Sequence, residues 1–145
     1  MPACTFFGHR DCPSSIKLKL REVLVDLIEN YGVDLFYVGR QGAFDGLVHT
    51  MLKELALTYP HIRYAVVLER MPSMKDSYDH SNTLLPEGIE VIHPRYAIDF
   101  RNRWLIRNCD YAVCYITRSF GNAVKYACSA EKHGKELIRL KETSP

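Results

Sequence analysis

The chain has 145 residues, with 19 Lys and Arg against 17 Asp and Glu and a formal net charge of +2. That length holds one core and leaves no room for separate cofactor and substrate domains, so a single domain over 1–145 is expected. An apolar fraction of 47% with 25% charged residues excludes a disordered chain, and the small net charge excludes a strongly polybasic nucleic-acid binder unless the charge is unevenly spread.

No apolar run approaches the roughly 20 residues of a membrane span, so no membrane association is expected. The opening residues, Met1 to Gly8, carry no basic leader and no small-residue cleavage site, so they do not read as an export signal. Cys4, Cys12, Cys109, Cys114 and Cys128 form no Cys-x-x-Cys pair. Reduced structural thiols in a cytoplasmic protein, with no metal site, are the expectation.

In chain order, Cys4 to Phe7 is a short apolar run ending at Gly8. From Ile16 the positions Leu20, Val23, Leu24, Leu27 and Ile28 share one helical face, which Ser14 or Ser15 can cap and Gly32 can close. Leu35 to Val38 is a second run, ending at Gly39. Phe44, Leu47, Val48, Met51, Leu52 and Leu55 then mark a second helix. Tyr64 to Leu68 is a third strand, and Ile89 to Ile92 reads as a fourth. A third helix spans Tyr96 to Asn108 with Phe100 and Trp104 facing inward. Tyr111 to Ile116 is a fifth strand, Asn122 to His133 a fourth helix and Leu137 to Leu140 a last strand. Strands that are apolar throughout are buried on both faces. The order therefore predicts a three-layer α/β fold, an open, mainly parallel sheet with helices on both faces and a ligand crevice at the carboxyl ends of the strands.

Each of the five predicted strands before the last is followed by an arginine. These are Gly8-His9-Arg10, Gly39-Arg40, Glu69-Arg70, His93-Pro94-Arg95 and Thr117-Arg118. The third helix adds Arg101, Arg103 and Arg107, so residues 95–125 carry six Lys and Arg against two acids while the remainder is mildly acidic. Arginines beside helix N-termini either pair with acids of the chain or await a compact anion such as phosphate. The long basic stripe with interleaved aromatics that an extended nucleic acid would want is missing, so that partner is not expected. Gly39 to Gly46 joins a strand to a helix, and Gly39 and Gly42 allow close backbone approach to a ligand. It matches neither the dinucleotide fingerprint nor the P-loop, and no cofactor is expected. Asp45 either complements the helix dipole or binds ribose hydroxyls. The Ser119-Phe120-Gly121-Asn122 loop opens the last helix, where Ser119 or Asn122 can cap it or donate to phosphate.

Five features stand in order along nearly the whole chain: Gly8-His9-Arg10, then Gly39, Gly42, Phe44 and Asp45, then Arg101-Asn102-Arg103, then Asp110, then Gly121 with Val124-Lys125-Tyr126-Ala127. Together they resemble the SLOG superfamily of Rossmann-like nucleotide-binding proteins, which takes in LOG-like and DprA-like members, and in particular its YpsA-like bacterial branch. The resemblance implies binding of a nucleotide or nucleotide-derived phosphorylated ligand at the strand carboxyl ends, as a sensor or binding module. It places that ligand on Gly8, His9, Arg10, Gly39, Arg40, Gly42, Asp45, Arg101, Arg103, Arg118, Ser119, Gly121 and Asn122. The superfamily also contains phosphoribohydrolases, which cleave the N-glycosidic bond of nucleoside monophosphates. Their Pro-Gly-Gly-x-Gly-Thr-x-x-Glu loop is replaced here by Thr117 to Asn122, with Val124-Lys125 where the glutamate would stand. Such an enzyme would need a carboxylate from Asp45, Glu69 or Asp99. Arg101, His9 and Asp45 are the candidate catalytic residues. A subunit docking an acidic protein is a third reading, and a homodimer is implied by the resemblance alone.

His9 reads equally as a ligand contact and as a loop hydrogen-bonder, Asp110 as structural and Trp104 as core. Tyr96, Tyr115 and Phe120 are candidates to stack on a base. Residues 69–88, with Asp76, Tyr78, Asp79 and His80, lack periodicity and read as a ligand-covering loop, a short irregular helix or an insertion.

Overall fold

The computed structural model describes residues 2–71 and 82–141. Asp76, Tyr78, Asp79 and His80 lie outside the described residues. Six described strands, β1 (Ala3–Gly8), β2 (Leu35–Val38), β3 (Arg63–Val67), β4 (Thr83–Leu84), β5 (Tyr111–Tyr115) and β6 (Glu136–Leu140), form one sheet in the order β4-β3-β2-β1-β5-β6. Every pairing is parallel. The helices are α1 (Lys17–Asn30), α2 (Ala43–Thr58), α3 (Pro94–Asn108) and α4 (Asn122–Lys132). This is the α/β Rossmann-like fold that the apolar runs predict.

Two clusters of buried side chains explain why those runs are unbroken. On one face Phe6, Phe36 and Val113 pack with Leu20 and Leu24 of α1 and Phe44, Val48 and Leu52 of α2. On the other, Phe7, Val67 and Cys114 pack with Leu105 and Ile106 of α3 and Tyr126 and Ala127 of α4. Successive residues of a strand point to opposite faces, so Phe6 and Phe7 serve different cores. Both must be apolar. The cysteines are all free, with Cys4, Cys109 and Cys114 buried. No described helix is long and apolar enough to cross a membrane.

Three local expectations are corrected. Ile89–Val91 is a 3-10 turn rather than a strand, entered through Gly88 at φ 90°, and Val91 is 81% exposed. The fourth strand is instead Thr83–Leu84, beside β3. His93-Pro94-Arg95 therefore follows no strand. Pro94 starts α3, and the His93 side chain caps it by accepting the Arg95 N–H. No serine side chain caps α1, which is led in by a 3-10 turn at Ser14–Ile16. Beside these corrections, α3 buries Ala97, Arg101, Asn102, Leu105 and Ile106, and Trp104 faces inward as expected, half-buried against the second cluster and edge-on to Tyr37. That inward face carries a charge.

The chain steps from β1 outward through β2 and β3 to β4, then returns through α3 to β5 on the other side of β1 and goes on to β6. The loops leaving β1 and β5 therefore turn apart. In an open parallel sheet the crevice opens at this reversal, outside the carboxyl ends of those strands.

Candidate functional site

Three loops meet at the reversal, and backbone contacts lock them together. The Ala43 N–H donates to the Arg10 carbonyl at 2.8 Å, which ties the β1 loop to the start of α2. The Thr117 N–H donates to His9 Nε2 at 3.0 Å, which ties it to the β5 loop. Burial, and then the Arg118 charge, hold His9 below the usual imidazole pKa, so it stays the neutral acceptor that this bond requires. His9 is thus placed as a loop hydrogen-bonder. Gly42 sits at φ 90°, and a Cβ there would come within 2.6 Å of the Arg10 backbone. A Cβ on Gly8 would lie 2.2 Å from Phe44, whose ring is fully buried and stacked on Tyr115. Gly8→Ala is expected to lose about 1–3 kcal/mol of stability by overpacking, read as a lower urea midpoint.

Below the loops, opposite charges converge on the end of β2. Arg101 is 2% exposed, with Nη1 donating to the Val67 carbonyl at 3.1 Å and Nε to Asn102 Oδ1 at 2.8 Å. A Cβ on Gly39 would lie 2.9 Å from both Arg101 Nη1 and Asp45 Oδ2, so only glycine fits between them. Asp45 is buried in the first turn of α2 and accepts the Gln41 N–H at 2.8 Å. Burial pushes its pKa up to about 6, against the pull of that N–H and of Arg101. On the far side, Glu69 takes a fork from Arg40, with Nη2 to Oε1 at 3.0 Å, and lies 3.9 Å from Arg101 Nη1. Burial raises the Glu69 pKa, but the Arg40 fork and neighbouring charges outweigh it and keep the group ionised.

The remaining predicted residues separate into two groups. Gly8, Gly39, Asp45, Arg101 and Asn122 line one cavity of about 50 Å³, together with Asn102. Gly39, Arg40, Gly42 and Asp45 line an adjoining cleft of about 210 Å³. Gly121, at φ 107°, precedes α4, where no side chain caps the first turn and no acid lies in it. Ser119 and Asn122 are therefore not caps. Arg103 is not brought to the crevice; it is exposed and paired with Asp99 at 2.8 Å. Arg118 pairs with Asp11 at 2.9 Å, and the exposed Arg10 reaches Gln41 at 3.5 Å. Most of these arginines thus meet acids of the chain. The groups left to meet an anion in the crevice are Arg101, itself flanked by Asp45 and Glu69, and the N-terminus of α4.

Of the stacking candidates, Tyr115 is core, while Tyr96 and Phe120 are exposed, each with an arginine over its ring. Asp110 is structural, its Oδ2 accepting the Ala3 N–H at 3.0 Å. Sequence reasoning missed Asn102 and Tyr126 as cavity walls. Their signal is helical spacing: Asn102 and Ile106 lie four apart on the buried side of α3, and Ala123, Tyr126, Ala127 and Ala130 recur every three or four residues on that of α4. Tyr126 also donates to Asp99 at 2.5 Å.

No protein-family model matches the chain, and no curated protein matches its sequence. Among solved structures, DNA processing protein A (DprA) from Streptococcus pneumoniae has a similar fold, with a TM-score of 0.65 and 15% identity over 96% of this chain and 50% of that one. The chain therefore spans about half the length of that neighbour. At this identity the likeness is one of architecture.

Proposed function

We propose that the protein binds a nucleotide or nucleotide-derived phosphate ester in the crevice at the sheet reversal, as a sensor or binding module of the YpsA-like kind within a cytoplasmic setting. One observation carries this reading. Arg101 and Asp45, a buried cation and a buried acid, converge on Gly39 at the floor of a cavity that the N-terminus of α4 also borders. A guanidinium and free helix N–H groups suit phosphate, and a carboxyl at the next position suits a sugar hydroxyl. The structural neighbour is named as a DNA processing protein, which puts an oligonucleotide among the ligands to test.

A thermal-shift panel of nucleoside mono- and diphosphates, ADP-ribose and a short single-stranded oligonucleotide tests the reading. At millimolar ligand, binders with dissociation constants near 10 μM should stabilise the fold by about 2.7 kcal/mol. Absence of any shift with every nucleotide sinks it. A shift with the oligonucleotide alone moves the function to nucleic acid.

A second reading, a nucleoside-monophosphate glycosidic hydrolase, is favoured by Asp45. Among the three carboxylates weighed from sequence, Glu69 is held by Arg40, and Asp99 by Tyr126 and Arg103. Only Asp45 lines the cavity, with a pKa of about 6 that suits proton transfer near neutrality. Release of free base, abolished by Asp45→Asn, would establish turnover.

A further inference from the structure

We infer that the apolar cleft beside Gly46 and His49 on α2 holds the base of a bound nucleoside monophosphate, with Asp45 facing its ribose. This rests on the nucleotide reading above and names the part of the ligand which that reading leaves unplaced. The cavity between Arg101 and Asn122 measures about 50 Å³. That is room for a phosphate-sized group and not for a whole nucleotide. The rest of such a ligand has to lie elsewhere. The adjoining cleft of about 210 Å³ shares Gly39 and Asp45 with the cavity, so a ligand straddling the carboxyl end of β2 at Asp45 would reach both.

The character of the second compartment differs from the first. Its walls are Gly39, Gly42, Gly46, Val66 and His49, with Arg40 at the side. Arg40 is held by Glu69. Largely apolar walls with one imidazole are what a heterocyclic base needs: area to bury and a hydrogen-bonding partner at its edge. Burial and the Lys53 charge keep His49 below the usual imidazole pKa, so the neutral ring offers one donor and one acceptor. Its position is set by an edge-on contact with Tyr64, with centroids 5.7 Å apart.

Gly46 is the independent observation. It lies inside the first turns of α2, where glycine costs roughly 0.5–1 kcal/mol relative to alanine. The fold gives no reason for it. Its φ is not positive, and a Cβ there would meet nothing within 4 Å. Gly8, Gly39 and Gly42 each prevent a clash, whereas Gly46 only keeps the cleft open. A residue that weakens its helix and packs against nothing fits a surface reserved for another molecule. Asp45, Gly46 and His49 are neighbours on successive turns of one helix, so base and sugar would be read from a single rigid element.

Calorimetric titration of the full chain with AMP, GMP, CMP, UMP and ribose 5-phosphate tests the assignment. At least one mononucleotide is expected to bind about tenfold or more tightly than ribose 5-phosphate. Gly46→Leu, which projects a side chain over the cleft, should remove that advantage while leaving ribose 5-phosphate binding unchanged. Gly46→Ala should fold at least as stably as the parent, and His49→Ala should weaken the same mononucleotide about twofold to tenfold. His49→Ala gives the readout if Gly46→Leu does not fold. Ribose 5-phosphate binding as tightly as every mononucleotide overturns the base compartment alone. An unchanged mononucleotide affinity in both Gly46→Leu and His49→Ala does the same. No binding of any of the five overturns the nucleotide reading with it.

Discussion

Arg101→Met is expected to lower folding stability by about 3–5 kcal/mol, the scale for removing one partner of a buried charge cluster. The side chain is of similar length and apolar, so the loss is electrostatic rather than steric. Two groups lose their partner at once, the Val67 carbonyl and the Asn102 side-chain oxygen, and Glu69 loses one of its cations while keeping Arg40. Asp45 loses the cation that restrains its rising pKa. Urea unfolding at pH 7 measures the loss, and a double-mutant cycle locates it. In an Asp45→Asn background the cost of Arg101→Met should shrink by about 1 kcal/mol or more, because one of the stranded charges is already gone. Equal losses in both backgrounds would show that Arg101 and Asp45 are not coupled across Gly39.

Asp45→Asn should have the opposite sign. The ordinary aspartate pKa is 3.8, and in the folded protein it rises to about 6 because the carboxylate is buried. Between these values the folded state holds the proton more tightly than the unfolded state, so stability falls as pH rises through that window and stays lower above it. A shift of about two units corresponds to roughly 3 kcal/mol. The pull of Arg101 is already contained in that value. Asparagine is neutral and keeps an oxygen for the Gln41 N–H. The variant should therefore be more stable than the parent at pH 8 by about 2–3 kcal/mol, with the difference fading towards pH 4. His9 runs the other way, since a depressed imidazole pKa adds stability as pH rises towards 6.5. Comparing parent and variant at each pH cancels that contribution. A variant less stable than the parent at pH 8 would show that the ionised carboxyl supports the fold. Gain of stability with loss of nucleotide binding is the pattern of a group kept for its chemistry.

The sheet was legible because its strands are continuous apolar runs, and the helices because their apolar residues recur at helical spacing. The misreading at Ile89 to Ile92 has a local cause. Three β-branched residues imitate a strand, but Gly88 at φ 90° turns the chain and only Ile89 is buried. The real β4 has two residues, Thr83 and Leu84, too few to show any period. At the site, the glycines and Asp45 stand in the loops where a ligand would be sought. The fates of the arginines were not legible. Arg40 and Glu69 are 29 residues apart and Arg118 and Asp11 are 107 apart, and nothing local reveals such pairs. Arg101 was read as a cation of the ligand site, and its place between Ala97 and Leu105 on the inward face of α3 is the local sign that it is buried.

The pairing of β1 with β5 also sets an order of assembly. β1 is complete on one side once β2 has formed, but its other edge waits for Tyr111–Tyr115, and the Ala3 to Asp110 bond spans 107 residues. Such pairing closes late, because a long stretch of chain must be confined before any contact rewards it. The crevice needs that same closure, since the His9 and Thr117 loops meet only after β5 is seated. During synthesis, a ribosome-bound fragment ending before α4 would have β1, β2 and α2 in hand and still lack one wall of the cavity. Ligand capture would then report that the last third of the chain has arrived, and added ligand should speed refolding only in its final phase.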